Sequence, residues 1–500
     1  MRALVSVFDK TNVVPFVKGL VELGWEIIST GGTYDLLKDS DVPVIAVEEV
    51  TGFEEILDGR VKTLHPYIHG GILYRRGDEN HEATIEEKGI RPIDMVINTL
   101  YPFEEAMNKP GATQASIIEM IDIGGPAMIR ATAKNFKDTL IVTDPKDYDE
   151  VLEALQKDQN TVAFRQKMAQ KAFALTSAYD QMIANYLLDE ETSQSNLTLN
   201  YQHEETLRYG ENPHQAADYY VTDDVPFTQL HGKALSYNNF NDMTACIDIV
   251  KEFEQPVCVA IKHMNPCGVA IGKDPLDAYL KAYEADSVSI FGGIIGFNRP
   301  VEEDVAQEMS QLFLEIIIAP SFTPEALEVL QKKKNLRLVT MDGLDEPAKA
   351  AKEIRQTIGG LLVQDKDVEL FNEDELENVT DRPVSDEEMT DLIFAWKVAK
   401  HLNSNAVVLA KDGQTIGLGH GEVRRSWAVE KAVDRAIKDP AGAVLASDGF
   451  FFGDTIDILK EHGVKAVIQP GGSIQDPKVI EAAKEADMSL LMTHMRHFKH

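Results

Sequence analysis

The spacing of apolar positions changes along this chain in a way that separates strands from helices. Residues 3–8 form a short apolar run, which reads as a buried strand. Val13, Phe16, Val17, Leu20 and Val21 then recur at helical spacing, and residues 25–29 read as a second strand. Strand, helix and strand make a βαβ unit. Further strand-like runs at 95–98 and 140–143 alternate with helical patterns, so residues 1–145 are expected to form an open parallel sheet wrapped by helices. Residues 146–188 are mostly helical in pattern. Residues 189–196 are polar and aperiodic and are the expected linker, with a boundary between Asn196 and Asn200.

Beyond the linker, strand and helix patterns recur in two similar passes. The first runs through 257–261, 268–272, a helix from Pro275, 288–296, a helix from Val301, and 316–319. The second runs through 407–410, a turn at Asp412-Gly413, 416–419, a helix from Trp427, 443–446, a helix from Asp454, and 464–468. The repeated order predicts two related α/β units.

Composition narrows the class. The 500 residues are enough for several core-forming units. With 49 basic against 82 acidic residues, the net charge of -33 repels nucleic acid and anionic membrane surfaces. An anionic substrate must therefore meet locally gathered Lys, Arg and helix N-termini. Cys246, Cys258 and Cys267 have no paired spacing, which argues for a reducing, cytoplasmic setting rather than a disulfide framework. The first apolar run is too short for a signal peptide or membrane span, and no later run approaches about 18 residues.

Candidate chemistry gathers in short motifs. Ile261-Lys262-His263-Met264-Asn265-Pro266-Cys267-Gly268 sets two proton-transferring side chains at a strand's end, where Asn265-Pro266 and Gly268 are expected to bend the chain so that both line one pocket. His263 can act as a base near neutrality and Lys262 can meet an oxyanion or leaving group. Thr30-Gly31-Gly32-Thr33 follows a strand and opens a helix, an arrangement whose N–H groups can hold a phosphate. Arg60-Val61-Lys62-Thr63-Leu64-His65-Pro66 adds two cations and a hydroxyl. Tyr101-Pro102-Phe103, Ile121-Asp122-Ile123-Gly124-Gly125 and Ala133-Lys134-Asn135 follow. In Leu207-Arg208-Tyr209-Gly210-Glu211-Asn212-Pro213-His214-Gln215, Arg208 can pair with a phosphate and Tyr209 can stack on a heterocycle. Ser289-Ile290-Phe291-Gly292-Gly293 is a further candidate loop.

Taken together, these motifs resemble those of the bifunctional purine-biosynthesis family that joins AICAR (aminoimidazole carboxamide ribotide) transformylase to IMP cyclohydrolase, and the resemblance runs from Arg2 to His500. It implies a methylglyoxal-synthase-like parallel-sheet domain at 1–196, then two cytidine-deaminase-like α/β subdomains at 197–370 and 371–500. It also implies formyl transfer from 10-formyltetrahydrofolate to AICAR, then dehydrative closure of formyl-AICAR to IMP, in a cytoplasmic homodimer. The alternative is a monofunctional transformylase whose N-terminal domain senses a phosphorylated metabolite.

By the same resemblance Lys134 is the proton donor and acceptor of the cyclohydrolase, with Tyr101, Lys62 and Asp122 polarising and positioning the substrate. Thr30, Gly31, Gly32, Thr33, Arg60 and Thr63 hold the nucleotide. For the transformylase, Lys262 and His263 are catalytic, while Arg208, Tyr209, Asn212, His214, Phe291, Gly292 and Asn405 lie beside the nucleotide. Arg425, Asp454, Gly471, Gly472 and Arg496 match folate or nucleotide positions. Four departures from the family pattern imply altered affinity: Phe8 for a Ser, Thr99 for an Asn, Arg424 for a Ser, and a 448–454 loop one residue short. His420-Gly421-Glu422 opens a zinc-deaminase signature, but no Pro-Cys-x-x-Cys follows and Cys267 is the last cysteine, so no zinc is expected. Whether a monovalent cation sits in the second half is left open by the sequence.

Overall fold

A computed structural model of the chain describes residues 1–57, 59–188, 197–222 and 225–500, which divide into two compact units, Met1–Asn200 and Tyr201–His500. The expected linker at 189–196 lies outside the described residues. In the first unit five strands pair in parallel, in the order Ile45–Ala46, Glu26–Ser29, Arg2–Val7, Met95–Thr99 and Leu140–Val142. The central strand lies between two neighbours, so nearly all of its residues are buried, as the unbroken apolar run requires. The helix Val13–Glu22 turns Val13, Phe16, Val17 and Leu20 inward at the expected spacing, and Phe16 stacks on Tyr148 at 4.2 Å. The helical stretch after Lys146 resolves into Tyr148–Gln156 and Val162–Tyr186.

The second unit is built on one twelve-stranded sheet. Its spatial order is Glu377–Asn378, Ser489–Met492, Ala466–Gln469, Val444–Ser447, Val407–Lys411, Gln414–Gly419, Asn265–Ile271, Val257–Lys262, Ile294–Phe297, Ile316–Ala319, Arg337–Thr340 and Thr228–His231. The two sequence passes occupy opposite halves, which meet where Ala270 pairs with Gln414. Two small ribbons stand apart from this sheet, Gln202–Leu207 with Ala217–Val221 and Lys352–Thr357 with Gly360–Asp365.

Two local expectations change. The chain turns at His263-Met264, not at Asn265-Pro266: Lys262 pairs with Asn265, and Asn265–Ile271 is already strand. Within the apolar stretch 288–296 only residues 294–296 are strand, the start of Ile294–Phe297. Asp286 accepts the N–H groups of Val288 at 3.1 Å and Ser289 at 2.7 Å, which folds the first part of that stretch into a turn.

Register decides what the sheet presents at its edge. Ile261 lies opposite Ile294, Val407 opposite both Gly419 and Ser447, and Gln469 opposite Met492. The His263-Met264 turn, the loop before Ile294, Asn405, the segment after Gly419, the loop after Ser447 and the turn after Gln469 therefore all leave the same edge.

Close packing under that edge depends on Gly268. A Cβ there would lie 2.1 Å from the carbonyl oxygen of Ala282, on the helix Pro275–Ala285. Gly268→Ala is expected to destabilise the second unit by about 3 kcal/mol, read as a lower urea midpoint. Gly360→Ala, with nothing within 4 Å of the added methyl, should leave stability within about 0.5 kcal/mol.

Candidate active sites

In the first unit, the strand Glu26–Ser29 delivers Thr30 in extended conformation, and the helix Gly31–Asp39 begins at Gly31 with φ +54°. The Thr30 hydroxyl is buried without a partner beside that helix N-terminus. Two lysines converge on the same place. Lys10 Nζ donates to Thr33 Oγ1 at 2.7 Å and to the carbonyl of Val7. Burial pushes its pKa down, with Asp9 partly opposing. Lys62 Nζ would lie 3.5 Å from a Cβ on Gly31 and is held by Glu55 at 2.7 Å. A helix N-terminus, an orphaned hydroxyl and two cations are an arrangement that suits an anion.

The segment after Lys62 links this group to a second patch. Thr63 is buried with its hydroxyl against Gly124, where the helix Gly124–Lys134 starts. Asp122 accepts the N–H of Gly125 at 2.8 Å and that of Tyr101, yet burial outweighs both bonds and raises its carboxyl pKa. The orphaned Asn98 Oδ1 faces the same point: a Cβ on Gly125 would sit 2.4 Å from Asp122 Oδ2 and 2.9 Å from Asn98 Oδ1. Only glycine leaves that pair of oxygens room.

Tyr101 is exposed and meets Phe8 edge-on at 5.5 Å. Arg60 forms a two-pronged ion pair with Glu119 at the surface. Lys134 lies at the other end of the helix from Gly124. It is the exposed last residue of the helix that begins at Gly124, and a rise of about 1.5 Å per residue puts it about 15 Å further along the axis.

In the second unit, Lys262 Nζ donates to the carbonyl of Phe291 at 2.6 Å, so the Lys-His pair and the Ser289-Gly293 loop come together. Arg208 lies over the ring of Tyr209 at 5.5 Å, and Asn212 bonds Gln215 at 2.9 Å. This segment, with the exposed His214, reaches the helix Tyr237–Val250 through Asn238 Nδ2 and the carbonyl of Glu211 at 3.3 Å.

Further along the edge lies an open cleft of about 580 Å³, lined by Asn405, Arg424, Arg425, Phe450, Phe452, Asp454 and Phe498 among others. Arg425 is buried. It donates to Asn405 Oδ1 at 2.7 Å, to Ser447 Oγ at 2.8 Å and to the fully buried Asp448, which also accepts the N–H of Ala406 at 3.0 Å. Arg424 lies over Trp427 at 5.3 Å and 3.8 Å from Asp454, while Arg496 covers Phe498 at 4.3 Å. Asp476 takes the N–H groups of Gly472 and Ser473 at 2.8 and 3.0 Å, next to Gly471. About 14 Å, three strand spacings, separate the strand ending at Lys262 from the one following Asn405.

The zinc-like run has another use here. The carbonyl of Glu422 accepts both the backbone and side-chain N–H of Asn405, and its carboxylate pairs with Lys431 at 2.9 Å. Among the described residues no three His, Cys, Asp or Glu side chains group as a metal site. Sequence reasoning missed Lys10 and Asp448. Asp448 does carry a signal, since it is a charge directly after an apolar strand, whereas Lys10 stands behind Phe8 and Asp9.

A family model described as the AICARFT/IMPCHase bienzyme matches residues 132–435, and one for an MGS-like domain matches 12–127. The bifunctional purine biosynthesis protein PurH of Oceanobacillus iheyensis is 49% identical to this chain over 508 residues, covering 100% of this chain and 99% of that protein. A Bacillus cereus PurH is 51% identical over 509 residues with the same shares. The crystal structure of ForH aligns with 39% of this chain and 100% of its own at 38% identity, with a TM-score of 0.35 that is too low to bear on the fold.

Asp122 gives a pH signature. Its raised carboxyl pKa means the folded state holds this proton more tightly than the unfolded state. Relative to Asp122→Asn, wild-type stability should therefore fall as pH rises above about 4 and level off once the carboxyl is ionised. Urea unfolding of both proteins from pH 4 to 8 reads this difference, and a flat difference would contradict it.

Proposed function

The chain belongs to the AICARFT/IMPCHase bienzyme family, and from that premise we propose how its two units divide the chemistry. It is a bifunctional enzyme of purine biosynthesis, transferring a formyl group from a folate co-substrate to AICAR and closing formyl-AICAR to IMP. A monofunctional transformylase with a sensing domain is not favoured, since full-length relatives are bifunctional. The formyl donor is 10-formyltetrahydrofolate, the setting is cytoplasmic and the working form is a homodimer. Consistent with the setting, no helix among the described residues is long and apolar enough to cross a membrane.

Residues 1–196 carry the cyclohydrolase. Thr30, Gly31, Gly32, Thr33, Lys10 and Lys62 hold the phosphate, with Arg60 and Thr63 beside them. The carboxamide nitrogen attacks the formyl carbon, and water leaves. An acid is needed for that loss, and Lys134 supplies it, while Tyr101, Lys62 and Asp122 polarise and position the substrate. Orientation carries much of the remaining acceleration.

Residues 197–370 and 371–500 carry the transformylase. The observation that carries this reading is Lys262 anchored on the Phe291 carbonyl with His263 next in the turn. The 5-amino group of AICAR is delocalised and poorly nucleophilic, so it must lose a proton as it attacks. His263 takes that proton, while Lys262 meets the tetrahedral oxyanion or protonates the leaving folate nitrogen. Arg208, Tyr209, Asn212, His214, Phe291, Gly292 and Asn405 bind the nucleotide. The cleft of Phe450, Phe452, Phe498, Arg424 and Arg425, with Asp454, Gly471, Gly472 and Arg496 near it, suits a flat heterocycle with an acidic tail.

His263→Ala and Lys262→Ala should each lower formyl transfer by at least about 10² while ring closure of supplied formyl-AICAR stays within a few-fold. Near-normal transfer in either variant would remove that residue from the mechanism.

Lys134 tests the homodimer. It stands about 15 Å beyond Gly124 along its own helix, so as proton donor it acts on a second protomer's site. Asp122→Ala and Lys134→Ala should each lose closure activity, and co-expression should restore about a quarter of it, because half the dimers then hold one intact site. Two inactive variants without recovery would place Lys134 in its own chain's site, and an active Lys134→Ala would make it a bystander.

A further inference from the structure

The Lys-His pair depends on a turn that its own residues disfavour. Lys262 pairs with Asn265, so only His263 and Met264 connect the two strands, and both have left-handed backbones with φ +57° and +62°. Two-residue hairpins of this hand favour Gly or Asn, because a Cβ crowds the neighbouring carbonyl. Such a conformation persists where its surroundings impose it.

What imposes it here is a carboxylate from another element. Asp242 Oδ1 accepts the N–H of Met264 at 2.6 Å, and the N–H of His263 points to the same carboxylate. Asp242 is partly buried on the helix Tyr237–Val250. That helix is fixed by Met243, Cys246 and Ile249, which lie in one core with Val257, Val259 and Ile261 of the strand leading to the turn. Asn265 Nδ2 closes the loop on the carbonyl of His263 at 2.8 Å.

We propose that Asp242 is the positioning residue of the transformylase site, holding the His263-Met264 turn in the conformation that aims the imidazole at the substrate amine. This rests on the reading of His263 as the base. The carboxylate receives the two turn N–H groups that have no ladder partner, and its negative charge lies beside the imidazole that becomes positive on taking the proton. It touches neither substrate in this role. Its effect is on the direction of His263 and on the charge that His263 acquires, so it should appear in turnover and not in substrate affinity.

The test compares Asp242→Ala, Asp242→Asn and the double variant Asp242→Ala/Met264→Gly in the full-length protein, with His263→Ala alongside and folding checked by circular dichroism. Asp242→Ala should lower kcat for formyl transfer by about 10², as expected for a misplaced catalytic group. KM for AICAR and the formyl folate, and the rate of ring closure, should stay within threefold.

Asp242→Asn keeps the side chain's shape and an acceptor and should recover at least about tenfold of the loss; Met264→Gly, which removes one strained Cβ, should recover part of it in the Ala background. A folded Asp242→Ala protein with kcat within threefold of wild type would overturn the proposal, as would a rise in KM with kcat unchanged. Full formyl transfer by His263→Ala would instead overturn the reading of His263, a separate outcome.

Discussion

One register at the middle of the second unit decides whether both halves of its sheet can serve a common edge. Ala270 opposes Gln414, and the Thr415 hydroxyl spans the adjoining position, accepting the N–H of Val269 at 3.0 Å and donating to its carbonyl at 3.2 Å. Because side chains alternate between faces along a strand, a one-residue slip would reverse the burial of a whole half. Such a slip would also carry the Lys262-His263 turn along the sheet relative to Asn405 and Arg425. Buried polar contacts pin the join from both sides. Gln414 Nε2 donates to the carbonyl of Lys281 at 2.6 Å, and Glu252 takes Lys400 at 3.0 Å and His401 at 2.8 Å. These groups lose a partner if the halves slide, and an unpaired buried charge costs more than the pair contributes.

The charge pattern follows the same logic at longer range. A net charge of -33 opposes a phosphorylated substrate at a distance, but in physiological salt that field is largely screened beyond about 8 Å. Within that range local groups decide. In the first unit Lys10 and Lys62 flank a helix N-terminus; in the second, Arg424 and Arg425 lie at one cleft. Arg425 has a structural task as well. With Asp448 fully buried beneath it, the guanidinium satisfies an internal charge and orders Asn405 at the same time. Arg424 faces the exposed Asp454 and the ring of Trp427, and is the more available to a ligand.

Much of the fold was legible because buried strands leave unbroken apolar runs. Residues 3–8, 257–261 and 407–410 each became a central strand. Apolar content failed where a polar side chain captured the backbone, as Asp286 does for Val288 and Ser289. The turn at His263-Met264 was illegible for a different reason: neither residue favours left-handed backbone, and the group that imposes it, Asp242, lies 21 positions before His263 in the sequence. Motif residues such as Lys262, Phe291, Asn405 and Arg425 were legible singly. That Lys262 rests on Phe291, or that Arg425 answers Asp448, depends on pairings between distant segments that no local spacing encodes.

The departures from the family pattern near the first strand make one arrangement. Thr99 Oγ1 accepts the N–H groups of Phe8 and Asp9 at 2.8 and 3.0 Å, so backbone donors at the strand's end are already satisfied. Phe8 cannot offer the hydroxyl that Ser would, and its ring packs instead against the edge of Tyr101. The Asp9-Lys10 segment is then held by side chains on either flank, with Thr99 on one and Thr33 on the other. Lys10 is thereby fixed beside the Gly31–Asp39 helix start even though the hydroxyl is gone. A neutral donor at the rim is absent here, while Lys10, Lys62 and the helix terminus, which would suit a phosphate, lie together.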